Sequence, residues 1–305
     1  MKGKRGFEMS FAWLFSLIVG AVILFLAIYF IMKFTSSENE IIGAKTSKEL
    51  IILTNPLETS FESGKTLALN LPDRTRIYNG CNNEDVFGNQ LIRVSQKIFN
   101  KWSNTNLNVS SSSKYFFSDS YAEGKKFYIF SKPFEFPFKV SDLIYLTSSE
   151  KDYCFKNAPE EIKEELKLLK QPNLLTENCG KESINVCFNS NRNCNVSVNF
   201  NLNYVEKDNE KLFFEGDTLL YAAIFSDKEI YECQLKRLMQ RTEQLALLYN
   251  EKSAFISRVN CNSNLELLEL GNNARDFDTS NSLPAIFNLV NEIKEKNEMA
   301  DCKLW

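Results

Sequence analysis

Residues 194–204 read CNVSVNFNLNY, and the alternation inside this stretch decides the fold class. Val196, Val198, Phe200, Leu202 and Tyr204 take every second place, with Asn195, Ser197, Asn199, Asn201 and Asn203 between them. A chain that alternates in this way has one apolar and one wet face, the pattern of an antiparallel sheet with one open side. Ile184, Val186 and Phe188 alternate likewise just upstream, and the intervening NSNRN is rich in turn residues, so a hairpin is expected. Cys187 and Cys194 flank that loop. Cys187 falls on the polar parity of its strand and Cys194 on the apolar parity of the other, whereas a direct cross-strand bridge needs both on one face. A bulge or a loop position removes the objection, so this pairing stays open.

Working outward toward the C-terminus, KLFFEG (211–216) and TLLYAAIF (218–225) read as a further extended pair. Ser226-Asp227-Lys228-Glu229 then has the spacing of a capping box and opens a helix that runs to about Tyr249 or beyond. Tyr231, Leu235, Leu238, Leu245 and Tyr249 form its apolar face, and Lys236, Arg237, Gln240, Arg241 and Gln244 its solvated side. Cys233 lies opposite the stripe, with Cys261 or Cys302 as candidate partners. A last helix starts around Ser282-Leu283-Pro284 and carries Ile286, Phe287, Leu289, Val290 and Ile293.

Toward the N-terminus, Asn157 heads a helix with Pro159 and Glu160 in its first turn and Ile162, Leu166 and Leu169 as its stripe. It lies between Cys154 and Cys179, which makes a bridge between those two a candidate. Phe134, Phe136 and Phe138 recur at period two, as one buried face of a sheet. VSSSS (109–113) reads as an exposed loop, and TLALNL (66–71) and RTRIY (74–78) as two short strands. Gly64-Lys65-Thr66 has the ending of a phosphate-binding loop, but the glycine that loop needs five residues earlier is Thr59, so a plain turn is expected.

At the N-terminus, Phe11 to Met32 is apolar apart from Ser16; at 1.5 Å per residue it reaches roughly 33 Å, enough for a bilayer core of about 30 Å. That is longer than the apolar core of a secretory signal, and no Ala-x-Ala pattern follows it, so a retained anchor is expected. Lys2, Lys4 and Arg5 precede the span, while Lys33 follows it with Glu38 and Glu40; the positive-inside rule then puts the N-terminus in the cytoplasm and the C-terminal part outside. Ala12, Ser16 and Gly20 recur every four residues, a small-residue face against which another membrane helix could pack. From Ser36 to Leu53 the helix is expected to continue as a stalk, stopped by Asn55-Pro56.

Composition narrows the function classes. The chain has 36 Lys and Arg against 39 Asp and Glu; beyond residue 34 these become 32 and 38, a net charge of −6. A mildly acidic domain with no basic stripe is a poor nucleic-acid partner. There is no histidine, which removes Ser-His-Asp and Cys-His catalysis and histidine-ligated zinc. Eight cysteines (81, 154, 179, 187, 194, 233, 261 and 302) all follow the span and contain no Cys-x-x-Cys, so they read as a disulfide framework in an exported domain. Asn108-Val109-Ser110 and Asn195-Val196-Ser197 are sequons on the outer side.

The junction Lys4-Arg5-Gly6-Phe7 resembles the processing site of type IV prepilin-like proteins, where a dedicated peptidase cuts after the glycine ahead of an apolar helix. That resemblance implies cleavage before Phe7 and a place in a filament or secretion machine. The family usually carries a glutamate at the fifth position after the cut; here that position is Phe11, and Glu8 stands at the second. EMSFAWLFSLIVG followed by a cysteine-bearing exterior domain is also similar to uncharacterised single-span surface proteins of small-genome archaea.

The expected organisation is a basic cytoplasmic tail and transmembrane anchor (1–34), a helical stalk (35–56) and an extracytoplasmic α+β domain (57–305). That domain combines antiparallel sheet with two or three packed amphipathic helices, braced by disulfides. Residues 11–32 would contact the bilayer, and other membrane helices or surface proteins are the expected partners. No catalytic constellation and no cofactor or metal motif stands out. The expected role is a structural or interaction module, the alternative being a membrane-anchored hydrolase that uses a carboxylate pair.

Overall fold

The computed structural model describes residues 11–54, 66–98, 100–103, 107–190, 194–259 and 265–305. The processing motif Lys4 to Phe7, Thr59, Gly64, Lys65 and Cys261 lie outside them. In chain order the described residues form α1 (Phe11–Leu53), β1 (Thr66–Asn82), β2 (Asn89–Ile98), β3 (Lys101–Trp102), β4 (Val109–Ser111), β5 (Phe116–Phe117), β6 (Tyr121–Glu135), β7 (Lys139–Ser148) and β8 (Tyr153–Lys156). There follow α2 (Glu160–Leu169), β9 (Leu174–Leu175), β10 (Ile184–Phe188), β11 (Val196–Asn199), β12 (Tyr204–Lys207), β13 (Glu210–Phe213), α3 (Gly216–Phe225), α4 (Lys228–Ile256), α5 (Leu267–Arg275) and α6 (Leu283–Met299).

The first sheet has the order β3-β2-β1-β6-β7-β5, with β4 also on β2; its neighbours are antiparallel except β5 with β7. The second has the order β13-β12-β11-β10-β8-β9, antiparallel from β13 to β11 and parallel from β11 to β9. The fold is thus mixed α+β with antiparallel sheet regions, as expected, but half of the second sheet is parallel.

Several local expectations are corrected. Residues 194–204 are not one strand. β11 stops at Asn199, whose Oδ1 accepts a hydrogen bond from the Leu202 amide at 3.0 Å; Asn203 sits at φ +50°, and the chain returns as β12 antiparallel to β11. Asparagine tolerates the left-handed region and its side chain mimics a backbone acceptor, so Asn201 and Asn203 are turn residues, while the expected alternation holds within β11, where Val196 and Val198 are buried and Ser197 and Asn199 are not. Nor do 184–188 and 194–204 form a hairpin: β10 and β11 run parallel, with Val186 opposite Val196 and Phe188 opposite Val198. TLALNL and RTRIY belong to the single strand β1, which carries Pro72 through a register shift against β6 between Asn70 and Thr75. An irregularity is where a strand can accommodate a residue without an N–H. Val109–Ser111 of the expected loop forms β4 on the edge of β2.

TLLYAAIF is helix α3, not a strand, and Leu219 to Phe225 are all buried. A short continuous apolar run has no period to read, and Leu and Ala favour the helix once both sides are to be covered. Asp227 is the N-cap of α4 but makes no side-chain capping bond, so the expected capping box does not form. The helices α2 and α6 lie where expected, with Ile162, Leu166 and Leu169 of α2 and Ile286, Val290 and Ile293 of α6 buried.

The larger core joins both sheets to α2 through α6, and it includes Phe134, Phe136 and Phe138 at the β6–β7 turn. Its centre is aromatic: Phe225 lies edge-on to Phe130, Tyr145, Tyr153 and Phe155, at centroid distances from 4.9 to 6.4 Å. The smaller core gathers Ile77, Ile92, Phe127 and Ile129 of the first sheet under Leu50 of α1. Helix α1 is therefore continuous from Phe11 to a docked end where Ser47, Leu50 and Thr54 are buried. Its segment Trp13–Ile31, of mean hydropathy 2.8, is long and apolar enough to cross a membrane, and none of it is buried. Ser16 and Gly20 of the small-residue face are exposed there.

Three disulfides join Cys81 to Cys233, Cys154 to Cys179 and Cys187 to Cys194. The first replaces the expected link from Cys233 to Cys261 or Cys302 and ties α4 to the end of β1. Cys302 is itself disulfide-bonded. Cys194 precedes β11, so it has no strand parity, and the 5.8 Å Cα separation from Cys187 is met from the loop.

Candidate functional site

Where the start of β6 meets the second sheet and the α3–α4 junction, a pocket of about 430 Å³ opens. Tyr153, Ile184, Val196 and Ile224 make its apolar lining; Asp119, Lys151, Asn195, Lys207, Asp208 and Asp227 supply polar groups, and Ser120 and Tyr121 complete it. The volume is within the usual range for small-ligand sites, but the lining is more polar than the mostly apolar make-up common among them.

Each charged group is held by a different element. Asp119 stands just before β6 and receives the Lys151 ammonium at 2.5 Å. Burial pushes its carboxyl above the ordinary range, opposed by that hydrogen bond. Asp227 stands between α3 and α4, and its Oδ2 accepts the Ser120 amide at 2.6 Å. Lys207 ends β12, half-buried and paired with Glu210 across the β12–β13 ladder, and among the described residues its ammonium makes no ion pair or hydrogen bond. Burial pulls its ammonium below the ordinary lysine range, while Asp119, Asp227 and Asp208 act the other way. Burial likewise raises the Tyr153 hydroxyl, with Asp119 and Asp227 adding to the effect.

The wall formed by residues 119–121 is fixed from behind. The Asn79 amide donates to the Ser120 carbonyl at 2.9 Å, and the buried Asn79 side chain donates to Ser118 Oγ at 3.0 Å and accepts from Gln90 Nε2 at 2.6 Å. Gln90 Oε1 in turn accepts from Gln234 Nε2 of α4 at 2.5 Å. Arg237, one turn on, is not on a solvated face as expected: it is 0 % exposed. Its guanidinium donates to the carbonyls of Phe87, Ser112 and Lys114 and to Gln234 Oε1, and lies 4.5 Å over the Tyr115 ring. Burial brings its pKa down to about 10. Gly88 passes so close that a Cβ would stand 2.4 Å from the Asn82 carbonyl oxygen and 2.9 Å from Arg237 Cγ, at φ +55°. This cluster is a rivet between α4 and the first sheet, with every contact turned inward.

A second depression of about 280 Å³ lies across Ser120 and includes Tyr78, Arg93 and Asn108. Rings and cations alternate along this pleat of the first sheet. Arg93 lies 4.3 Å over Tyr78, Tyr78 is 6.1 Å from Tyr121, and Arg76 is 5.4 Å over Tyr121 and 4.1 Å over Trp102. Arg76 also pairs with Glu123 at 2.6 Å.

Both sequon asparagines are exposed, Asn195 lining the first pocket and Asn108 the second. No cysteine is among the residues that line the pocket. Asp119, Lys207 and Asp227 had no signal in the sequence beyond Asp227's place in the supposed capping box: they are single charges on three separate elements, among 39 acidic and 36 basic residues. The carboxylates of Asp119 and Asp227 share the pocket, the first committed to Lys151 and the second to a backbone amide. Among the described residues no three His, Cys, Asp or Glu side chains gather into a metal centre. No protein-family model matches the chain, and no curated protein or solved structure is significantly similar to it.

Proposed function

We propose that this chain is a single-pass membrane protein with a cytoplasmic N-terminus that holds a disulfide-braced α+β domain outside the membrane as a structural or interaction module, pilin-like in its N-terminal organisation. The observation that carries the reading is α1, one helix with uncovered apolar side chains from Trp13 to Ile31 and its other end packed by Leu50 under the first sheet. An apolar surface of that length in water is strongly unfavourable, and a bilayer covers it at the matching thickness. The disulfides support an oxidising compartment for the rest.

The test is to express the full chain with a tag after Trp305, isolate membranes, and determine the mature N-terminus by mass spectrometry. Retention through a carbonate wash, with the tag open to protease from outside, is expected. A chain starting at Phe7 adds prepilin-type processing and filament membership; one starting near Met1 makes the segment a static anchor. A chain starting beyond residue 32 overturns the anchor.

A second reading, hydrolysis by a carboxylate pair, is favoured by Asp119 and Asp227 meeting in one pocket. It predicts glycosidase activity that Asp119→Asn and Asp227→Asn each abolish. Activity surviving both substitutions removes it.

A further inference from the structure

We propose that the two depressions on either side of Ser120 form one groove that binds a neutral oligosaccharide, with the Tyr121 ring as its stacking platform and Lys207, Asp119 and Asp227 as its hydroxyl-reading groups. This goes beyond the anchored-module reading and does not rest on it. The first ground is charge. Three aspartates (119, 208 and 227) face two lysines (151 and 207) in the pocket. An anion would meet the carboxylates, and a cation the ammonium groups, so the ligand that suits this field carries no net charge. The second is hydrogen-bonding capacity. Among the described residues the Lys207 ammonium is unused, and Asp119 and Asp227 are each engaged through Oδ2 alone, leaving Oδ1 free. A sugar hydroxyl both donates and accepts, and so matches donors and acceptors set side by side.

The third ground is shape. Tyr121 is 47 % exposed at the rim: Arg76 lies over its ring, and the part left in water borders the polar pocket. The apolar face of a pyranose covers such a ring while its hydroxyls reach sideways. The second depression continues past the Tyr78 ring, and Ser120 lines both, so the path suits several linked units rather than one.

The full chain, made in a host that leaves Asn108 and Asn195 unmodified and reconstituted in lipid nanodiscs, would be titrated calorimetrically with maltohexaose, cellohexaose, chitohexaose and laminarihexaose. Binding of at least one with a Kd below about 1 mM is expected. Tyr121→Ala and Lys207→Met should each weaken it about tenfold, and Tyr121→Phe should keep it within about twofold, since the ring is retained. Thermal melts of the three variants identify any that fail to fold, and Tyr121→Phe against Tyr121→Ala keeps the comparison within one side chain. The proposal is overturned if none of the four sugars binds, if binding ignores both substitutions, or if glycine, glutamate or inorganic phosphate binds more tightly than any sugar. Such a failure leaves membrane anchoring untouched, because topology plays no part in the titration.

Discussion

The segment Trp13–Ile31 of α1 and the helix α3 are both apolar around their whole circumference, yet the first has every side chain uncovered and the second has Leu219 to Phe225 sealed in the core. Neither shows the one-sided period that marks a surface helix, so apolar character alone does not tell what covers them. Length does. The 19 residues of the first segment reach about 28 Å and fit a bilayer, whereas the 10 residues of α3 reach about 15 Å and fit a domain interior. The two cores follow the same division: α3 is the hub of the larger one, and among the described residues α1 joins the smaller one through Leu50 and Ile51 of its last turns.

The largest expected effect is at the hub. Phe225→Ala should destabilise the domain by about 3–5 kcal/mol, read by denaturant unfolding, because four aromatic neighbours would lose their partner around a cavity. Leu24→Ala, at an uncovered position, should change it by less than about 0.5 kcal/mol; equal effects would break the comparison. Next is the link between α4 and β1. Removing it as Cys81→Ser with Cys233→Ser opens a loop of 152 residues' separation and should cost about 2–5 kcal/mol, without moving the chain out of the membrane fraction.

Arg237→Met should cost about 2–3 kcal/mol by stranding the buried carbonyls of Phe87, Ser112 and Lys114, and Arg237→Lys should restore only part, since an ammonium cannot span all of them. An unchanged midpoint for Arg237→Met would mean that the rivet is not needed to hold α4 on the sheet.

The smallest effect is electrostatic. Burial pushes the Glu123 carboxyl upward, but hydrogen bonds from Arg76 and Arg74 outweigh it and carry it below the ordinary range. Its contribution is therefore present above the unfolded glutamate pKa of about 4.3 and is lost as pH falls through the lower folded value. Asp119 works in the opposite sense: burial raises it, so its cost at neutral pH is relieved as pH falls. Thermal melts across the acid range should show a shallower acid limb for Glu123→Gln than for the wild-type chain. An identical limb would count against the Arg74–Glu123–Arg76 triad as a source of acid sensitivity.

Much of the helical layer was legible. Ile162, Leu166 and Leu169 of α2 and Ile286, Val290 and Ile293 of α6 are spaced at the helical period and are buried as that period requires. The strands were harder. The asparagines of 194–204 satisfy an alternation rule and a turn rule at once, and only the pairing of β11 with β12 shows the turn winning. The pocket was not legible at all. Asp119, Lys207 and Asp227 acquire meaning from being brought to one cavity, and no spacing along the chain encodes that.

What the sequence by itself determined follows from properties that act over a few turns of chain: the apolar length of α1, the α+β class, the amphipathic stripes, the absence of histidine and the supply of cysteines. Only the tertiary structure decided the partner of Cys233, the parallel course of β10 and β11, the burial of Arg237 and the meeting of charges beside Tyr121. The reason is physical. Local propensity and periodicity are summed over neighbouring residues, whereas disulfide pairing, strand order and the environment of a charge depend on which distant segments share a surface, and that is settled by packing of the whole core.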